Sequence, residues 1–425
     1  MKLMRIIGFA ACLFFVLLNG TMTFARNGTE LMSFGGRFTG MGGACLALHG
    51  DPACMITNPA GIAGYDGKKL DIGAGIYFGW AKYKNDNNPE ETSRKDSATT
   101  PVTAIQPLLG YIQKVEGTSL SFGIGFYGVG GGGSDYSWFS ADFNSYKDIE
   151  SSLGISKFTP TIAYEVSPKL FLGISPNIYY IAMNDFKTTL GPVAIDLKNA
   201  DAWGLGVAFG MVYKFNNKLS VGFSYTSQSY VGDLETNDNT TLELAPSMGG
   251  RKFEYKKAKV VDFQHPQKVG LGIAYQLFPW VTLATDIKWL NYSSTFEVLK
   301  IELSHGNGPD QSLSLPLEMD DQWLYSLGLE FRVTNRFKLR CGYRYASDTV
   351  SGEAIFPPLP AVKARHQVAF GFGYRWDSSW SFDFAWAHMF LDGESNDISK
   401  YDPEFNGSNL KIADNHLVVN LTYYF

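Results

Sequence analysis

Between Arg365 and Phe390 the chain repeats every second residue. Val368, Phe370, Phe372, Tyr374 and Trp376 share one parity, and Gln367, Ala369, Gly371, Gly373 and Arg375 the other. After the short turn Asp377-Ser378-Ser379 the alternation resumes. Trp380, Phe382, Phe384 and Trp386 fall on one side, with Ser381, Asp383, Ala385 and Ala387 opposite. A period of two predicts strand, because successive side chains point to opposite faces of a sheet. In a soluble sandwich the second face would be wet and richly charged. Here it is mostly Gly, Ala and single polar residues behind an aromatic first face. That division suits a strand with lipid on one side and a crowded polar lumen on the other.

The same reading predicts about fourteen strands from Leu70 onward. They span 69–80, 103–115, 118–130, 155–167, 170–183, 202–215, 218–230, 264–277, 280–292, 322–333, 336–346, 365–376, 379–391 and 414–425. Tight turns near Glu116-Gly117, Ser167-Pro168, Asn216-Asn217, Phe278-Pro279, Thr334-Asn335 and Asp377-Ser379 alternate with long connections. The long ones are 81–102, 131–154, 184–201, 231–263, 293–321, 347–364 and 392–413. Short turns at one end and long loops at the other are the pattern of an outer-membrane barrel, with both termini on the short-turn side. The expected fold is therefore all-β, a transmembrane 14-stranded antiparallel β-barrel. Parity places Trp203, Leu205, Phe209, Leu271, Ile273, Trp323, Tyr325 and Leu327 towards lipid. It places Lys268, Asp286, Lys288, Glu330, Lys338, Arg340, Arg344 and Asp383 in the lumen, where opposite charges can pair. Aromatics gather near the short turns, as an interfacial girdle does. The terminal Phe425 resembles a signal read by the barrel-assembly machinery, which we expect as a partner together with outer-membrane lipid and lipopolysaccharide.

Composition narrows this further. The chain holds 45 Gly, 23 Tyr and 31 Phe, with 18% charged residues. Residues 1–25 read as a signal peptide: Lys2 and Arg5 precede the apolar run Ile6 to Leu18, and Thr23-Phe24-Ala25 offers a cleavage site. Cleavage after Ala25 takes the net charge from −5 to −7, which argues against nucleic acid as a partner. Residues 66–425 form the barrel. Residues 26–65 do not read as strand, yet Leu31, Phe34, Phe38, Met41, Leu46 and Leu48 are too apolar for a free tail. Such a segment needs burial, and the inside of a wide barrel provides it. Cys45 and Cys54 lie close enough in sequence to close a small loop. No Cys-x-x-Cys pair is present, the acidic loop tips lack a calcium-loop pattern, and no metal or cofactor is expected.

The Asn58-Pro59-Ala60 run after a Gly-rich start resembles the hatch of the FadL-type long-chain fatty-acid and hydrocarbon transporters. Three hairpins resemble that family too: Lys268-Val269-Gly270-Leu271-Gly272 to Trp289, Tyr325-Ser326-Leu327-Gly328 to Gly342-Tyr343, and Arg365-His366 to His388. The resemblance implies a monomeric passive carrier of hydrophobic small molecules. In it, loops capture the ligand, the lumen binds it, and hatch movement opens a lateral path at an inward kink of the third strand, beside the hatch motif. The run Gly130-Gly131-Gly132-Gly133 stands at that kink, and four consecutive glycines do not hold a regular ladder cheaply. Phe34, Phe38 and Met41 are candidates to line the apolar route, since apolar ligands gain about 25 cal/mol per Å² buried. Arg340 and Arg344 are the candidates to meet a ligand carboxylate. Two other classes compete. A general diffusion porin would need a constriction loop and leave residues 26–65 without a purpose. A barrel lipase would need a Ser–His pair, and the six His residues show no such spacing; His366 and His388 read as rim residues.

Overall fold

The computed structural model describes residues 30–86, 102–355 and 365–425, apart from Met32, Asn237 and Asp402. The proposed signal peptide lies outside the described residues. Fourteen antiparallel strands close into a ring: β1 (Lys68–Lys84), β2 (Val102–Lys114), β3 (Leu120–Ser140), β4 (Ser145–Ser167), β5 (Leu170–Leu190), β6 (Val193–Lys214), β7 (Leu219–Thr226), β8 (Lys268–Phe278), β9 (Val281–Leu290), β10 (Gln322–Arg332), β11 (Phe337–Ala346), β12 (His366–Arg375), β13 (Trp380–Ser395) and β14 (Asn409–Tyr424). Each strand pairs with its sequence neighbour, and β14 returns to β1 in a register running from Lys69↔Tyr424 to Lys84↔Asn409. Closure gives every strand of the ring a partner on both sides among the described residues, as a wall in lipid requires.

Parity holds on the wall. Phe370 faces Trp386, Phe372 faces Phe384 and Tyr374 faces Phe382 across β12–β13. Trp203, Leu205, Leu271, Trp323, Leu327 and Phe370 are among the most exposed large apolar side chains. Ala369, Ala385 and Ala387, of the other parity, are fully buried.

Two of the expected long loops are not loops. Residues 131–154 and 184–201 continue as paired strand, through Ser140↔Ser145 and Leu190↔Val193. Beyond the membrane one face no longer meets lipid, so the apolar alternation that marks a strand fades while the ladder persists. The β7–β8 and β9–β10 connections carry strands of their own. Lys252–Val261 pairs with Thr240–Leu244, which pairs with β6, and also with Val298–Gly306. Their apolar sides (Tyr255, Val260, Leu299, Ile301) join one continuous buried cluster that reaches down to Leu31 and Phe34.

Residues 33–63 lie inside the ring. Two short helices, α1 (Gly35–Gly40) and α2 (Cys54–Thr57), are followed by a 3-10 turn over Pro59–Ile62. Helices this short are marginal alone; packing against the wall supplies what they lack. Phe38, Met41, Cys54 and Met55 are each at most 1% exposed.

Candidate functional site

The segment is seated by glycines whose missing side chains leave it room. A Cβ added at Gly342 would come under 3.0 Å of the Gly42 backbone, and one at Gly328 under 3.0 Å of Met41. Gly222 stands in the same way against the Leu46 carbonyl, Gly173 against Ala60, and Gly123 against Met55. These are the small lumenal positions of the alternation; a filled lumen is what they accommodate. Polar groups fix the orientation. Asp286 accepts the Cys45 N–H at 2.8 Å and the Leu46 N–H at 3.2 Å. Asn420 accepts the Gly36 N–H at 2.7 Å. Glu330 accepts from Arg37 of the segment at 3.3 Å and from Arg340 of the wall at 2.8 Å.

Each residue singled out above has a definite place. Phe34 borders a small cavity of about 50 Å³ with Glu30, Lys268 and Leu324. Phe38 and Met41 are enclosed against the wall. Asn58 donates to the Leu46 carbonyl at 2.6 Å and the Met211 carbonyl at 3.1 Å, and accepts the Ala60 N–H at 3.2 Å. Asn58-Pro59-Ala60 therefore docks on Gly173 of β5 and Gly210 of β6. It does not stand beside the glycine run of β3, as the resemblance implied; residues 30 and 31 do. Arg340 is occupied by Glu330 and Asp383, which tie it into the wall. Arg344 is 4% exposed, higher in the lumen. Cys45 and Cys54 do not bridge: both are free, buried thiols.

Gly130, Gly131, Gly132 and Gly133 also depart from expectation. They keep a ladder with β4, from Gly130↔Ile155 to Gly133↔Ser152, after a bulge between Gly128 and Gly130. The ladder that fails is on the other side. β2 and β3 pair from Lys114↔Ser121 only as far as Leu108↔Tyr127, although both strands continue. Pro107 stands at the break and has no N–H to donate. Residues 127–131 are buried at both parities, so β3 bows inward there. Its freed edge is taken by the N-terminal segment: the Leu31 N–H donates to the Val129 carbonyl at 3.0 Å, and Glu30 bridges to Gly130. Gln106 spans the seam, donating to the Gly128 carbonyl at 2.9 Å and the Ser33 carbonyl at 3.4 Å.

The Glu30 side chain reaches into a cluster of buried charge. Lys268 lies 2.7 Å from its carboxylate and His265 3.6 Å. Burial is the largest influence on Glu30 and raises its pKa, but its neighbours, Lys268 foremost, together outweigh it and the group sits below the usual carboxylate range. Burial, reinforced by Lys268, pushes His265 down to about 3, so it is neutral and its contact with Glu30 is not an ion pair. Lys157, 2% exposed, lies over the Tyr179 ring at 5.8 Å and has no carboxylate within ion-pair distance among the described residues. Nearby, β4–β5 pairing is interrupted between Phe158↔Ile178 and Ile162↔Ile174, where Pro160 and Pro176 fall. Glu30, Gln106 and Lys157 were not singled out from sequence; Pro107 within a strand was the available sign of the seam.

The family model for outer membrane protein transport proteins (OMPP1/FadL/TodX) matches residues 29–416. No curated protein matches the sequence. Among solved structures, the Pseudomonas putida toluene transporter TodX is 21% identical, with 94% of this chain and 100% of that one covered at a TM-score of 0.78. The Ralstonia pickettii toluene transporter TbuX is 20% identical, with 93% and 99% covered at 0.73. A Pseudomonas aeruginosa FadL homologue is 16% identical, with 93% and 99% covered at 0.73. At these identities the likeness carries the fold.

Proposed function

The chain belongs to the OMPP1/FadL/TodX family of outer-membrane transport proteins, and from that premise we propose that it carries hydrophobic small molecules, long-chain fatty acids or hydrocarbons, by hatch-gated lateral release. It is a transport protein of the outer membrane and not an enzyme. Residues 26–65 act as the hatch. Extracellular loops capture the ligand and the lumen holds it. Movement of the hatch then frees the seam between β2 and β3, and the ligand leaves sideways into the bilayer. The observation that carries this reading is the seam itself: wall pairing stops at Leu108↔Tyr127, and the break is covered from inside by residues 30–31.

The physics favours a side exit. An apolar molecule delivered straight through would have to leave into water, at a cost of about 25 cal/mol for each Å² it exposes. Release into lipid avoids that cost. Liposomes holding the intact protein should take up a long-chain fatty acid or alkane faster than empty ones while remaining closed to sugars. Free passage of sugars would support the general diffusion porin instead.

A further inference from the structure

The lumenal wall around Glu30 is chemically unfinished. Asn177 is fully buried and neither amide atom has a hydrogen-bond partner among the described residues. The hydroxyls of Thr159 and Tyr179 are likewise buried without partners, as are both ring nitrogens of His265. Lys157 and Tyr179 are register partners on β4 and β5, and the Tyr179 and His265 rings are 5.4 Å apart. A buried polar group without a partner is costly, so such a concentration marks a place built for a polar guest. The guest's charge follows from the cations. Lys268 and Lys157 face the one carboxylate of Glu30, two amines to a single acid.

We propose that Glu30 is an internal stand-in for the head group of an anionic cargo. A hydrophobic molecule ending in a carboxylate competes with Glu30 for Lys268 and meets Lys157, which Glu30 does not reach, while Asn177, Thr159 and Tyr179 supply further donors. The stand-in is tied to the gate through its own backbone. Glu30 bridges Gly130 on the β3 edge that β2 leaves, and the next residue donates to Val129. A carboxylate that takes Lys268 removes the side-chain anchor of residues 30–31, and the strip they form across the seam is released. The cavity beside the pair, about 50 Å³, is too small for any cargo beyond a water or two. Entry of the head group therefore requires Glu30 to leave. Cargo without the charge lacks this way of opening the seam, so the inference deepens the transport reading, on which it rests, by selecting acids over hydrocarbons.

The test uses the full-length mature protein in detergent, with dodecanoic acid and its methyl ester as probes. Glu30→Gln keeps shape and backbone and removes the competitor. The ratio of acid to ester affinity should rise on the order of tenfold, about one lost ion pair's worth at 1.4 kcal/mol per decade. Lys268→Gln should lower that ratio. In the wild-type protein the acid, but not the ester, should speed hydrogen exchange at residues 30–34 and 128–133. Because Glu30→Gln could disturb the hatch, this exchange measurement on the unaltered chain decides independently. An unchanged ratio, or equal exchange with acid and ester, overturns the stand-in and leaves the transporter reading intact. Wild-type protein that binds neither probe overturns both.

Discussion

Deleting residues 26–65 is expected to turn a nearly silent barrel into an open polar channel. Barrels of eight strands are filled by their own side chains, whereas those of sixteen or eighteen leave an aqueous passage. At fourteen strands the ring is wide, and the wall beneath the hatch is small and polar. Gly123, Gly173, Gly222, Gly328 and Gly342 line it with nothing, and Asp286, Glu330 and Arg340 line it with charge. Remove the segment and water takes its place. Planar-bilayer recordings should show conductance rising roughly tenfold or more over the intact protein. Conductance that stays at the intact level would mean the capping loops alone seal the lumen.

Filling the seats should act from the other side. In Gly222→Leu and Gly342→Val the new Cβ lands under 3.0 Å of the Leu46 carbonyl and the Gly42 nitrogen. Both are backbone atoms of a segment held elsewhere by Asp286 and Asn58, so they cannot yield by a rotamer change. Overpacking of this kind costs roughly 1–3 kcal/mol per site. The double variant is expected to leak ions at neutral pH and to unfold at lower temperature than the parent. Gly154→Val is the control: a Cβ there meets nothing within 4 Å, and neither conductance nor melting should change.

Much of the wall was legible because lipid imposes a period of two. The alternation from Val368 to Trp386 gave both faces of a hairpin that the register confirms pair by pair. Legibility ended where lipid ends. Residues 134–140 and 184–190 are strand, but no longer have a lipid side to mark them. The lumenal glycines were visible as small positions, yet their purpose depended on which backbone presses against each. The Asn58-Pro59-Ala60 run signalled an interior segment but not its docking on β5 and β6, since that depends on the path of the chain after Asp51. Arg340 stood out as a lumenal cation, and only the structure shows Glu330 and Asp383 occupying it. Glu30 carried no sequence signal; a single carboxylate becomes legible when Lys268 and the β3 edge are both beside it.

The side exit can be stapled. An ideal Cβ at Gly128 lies 3.5 Å from the Cα of Gln106, so the two strands approach closely enough there for a disulfide to span them, once the Pro107 ring, 2.9 Å from that Cβ, has shifted slightly. In the Gln106→Cys/Gly128→Cys variant, oxidation should tie β2 to β3 across the seam. Uptake of a radiolabelled hydrophobic ligand into liposomes should then fall to the protein-free rate and return when the bond is reduced. An oxidised variant that carries the ligand at its reduced rate would show that cargo passes elsewhere, and lateral release between β2 and β3 would be wrong.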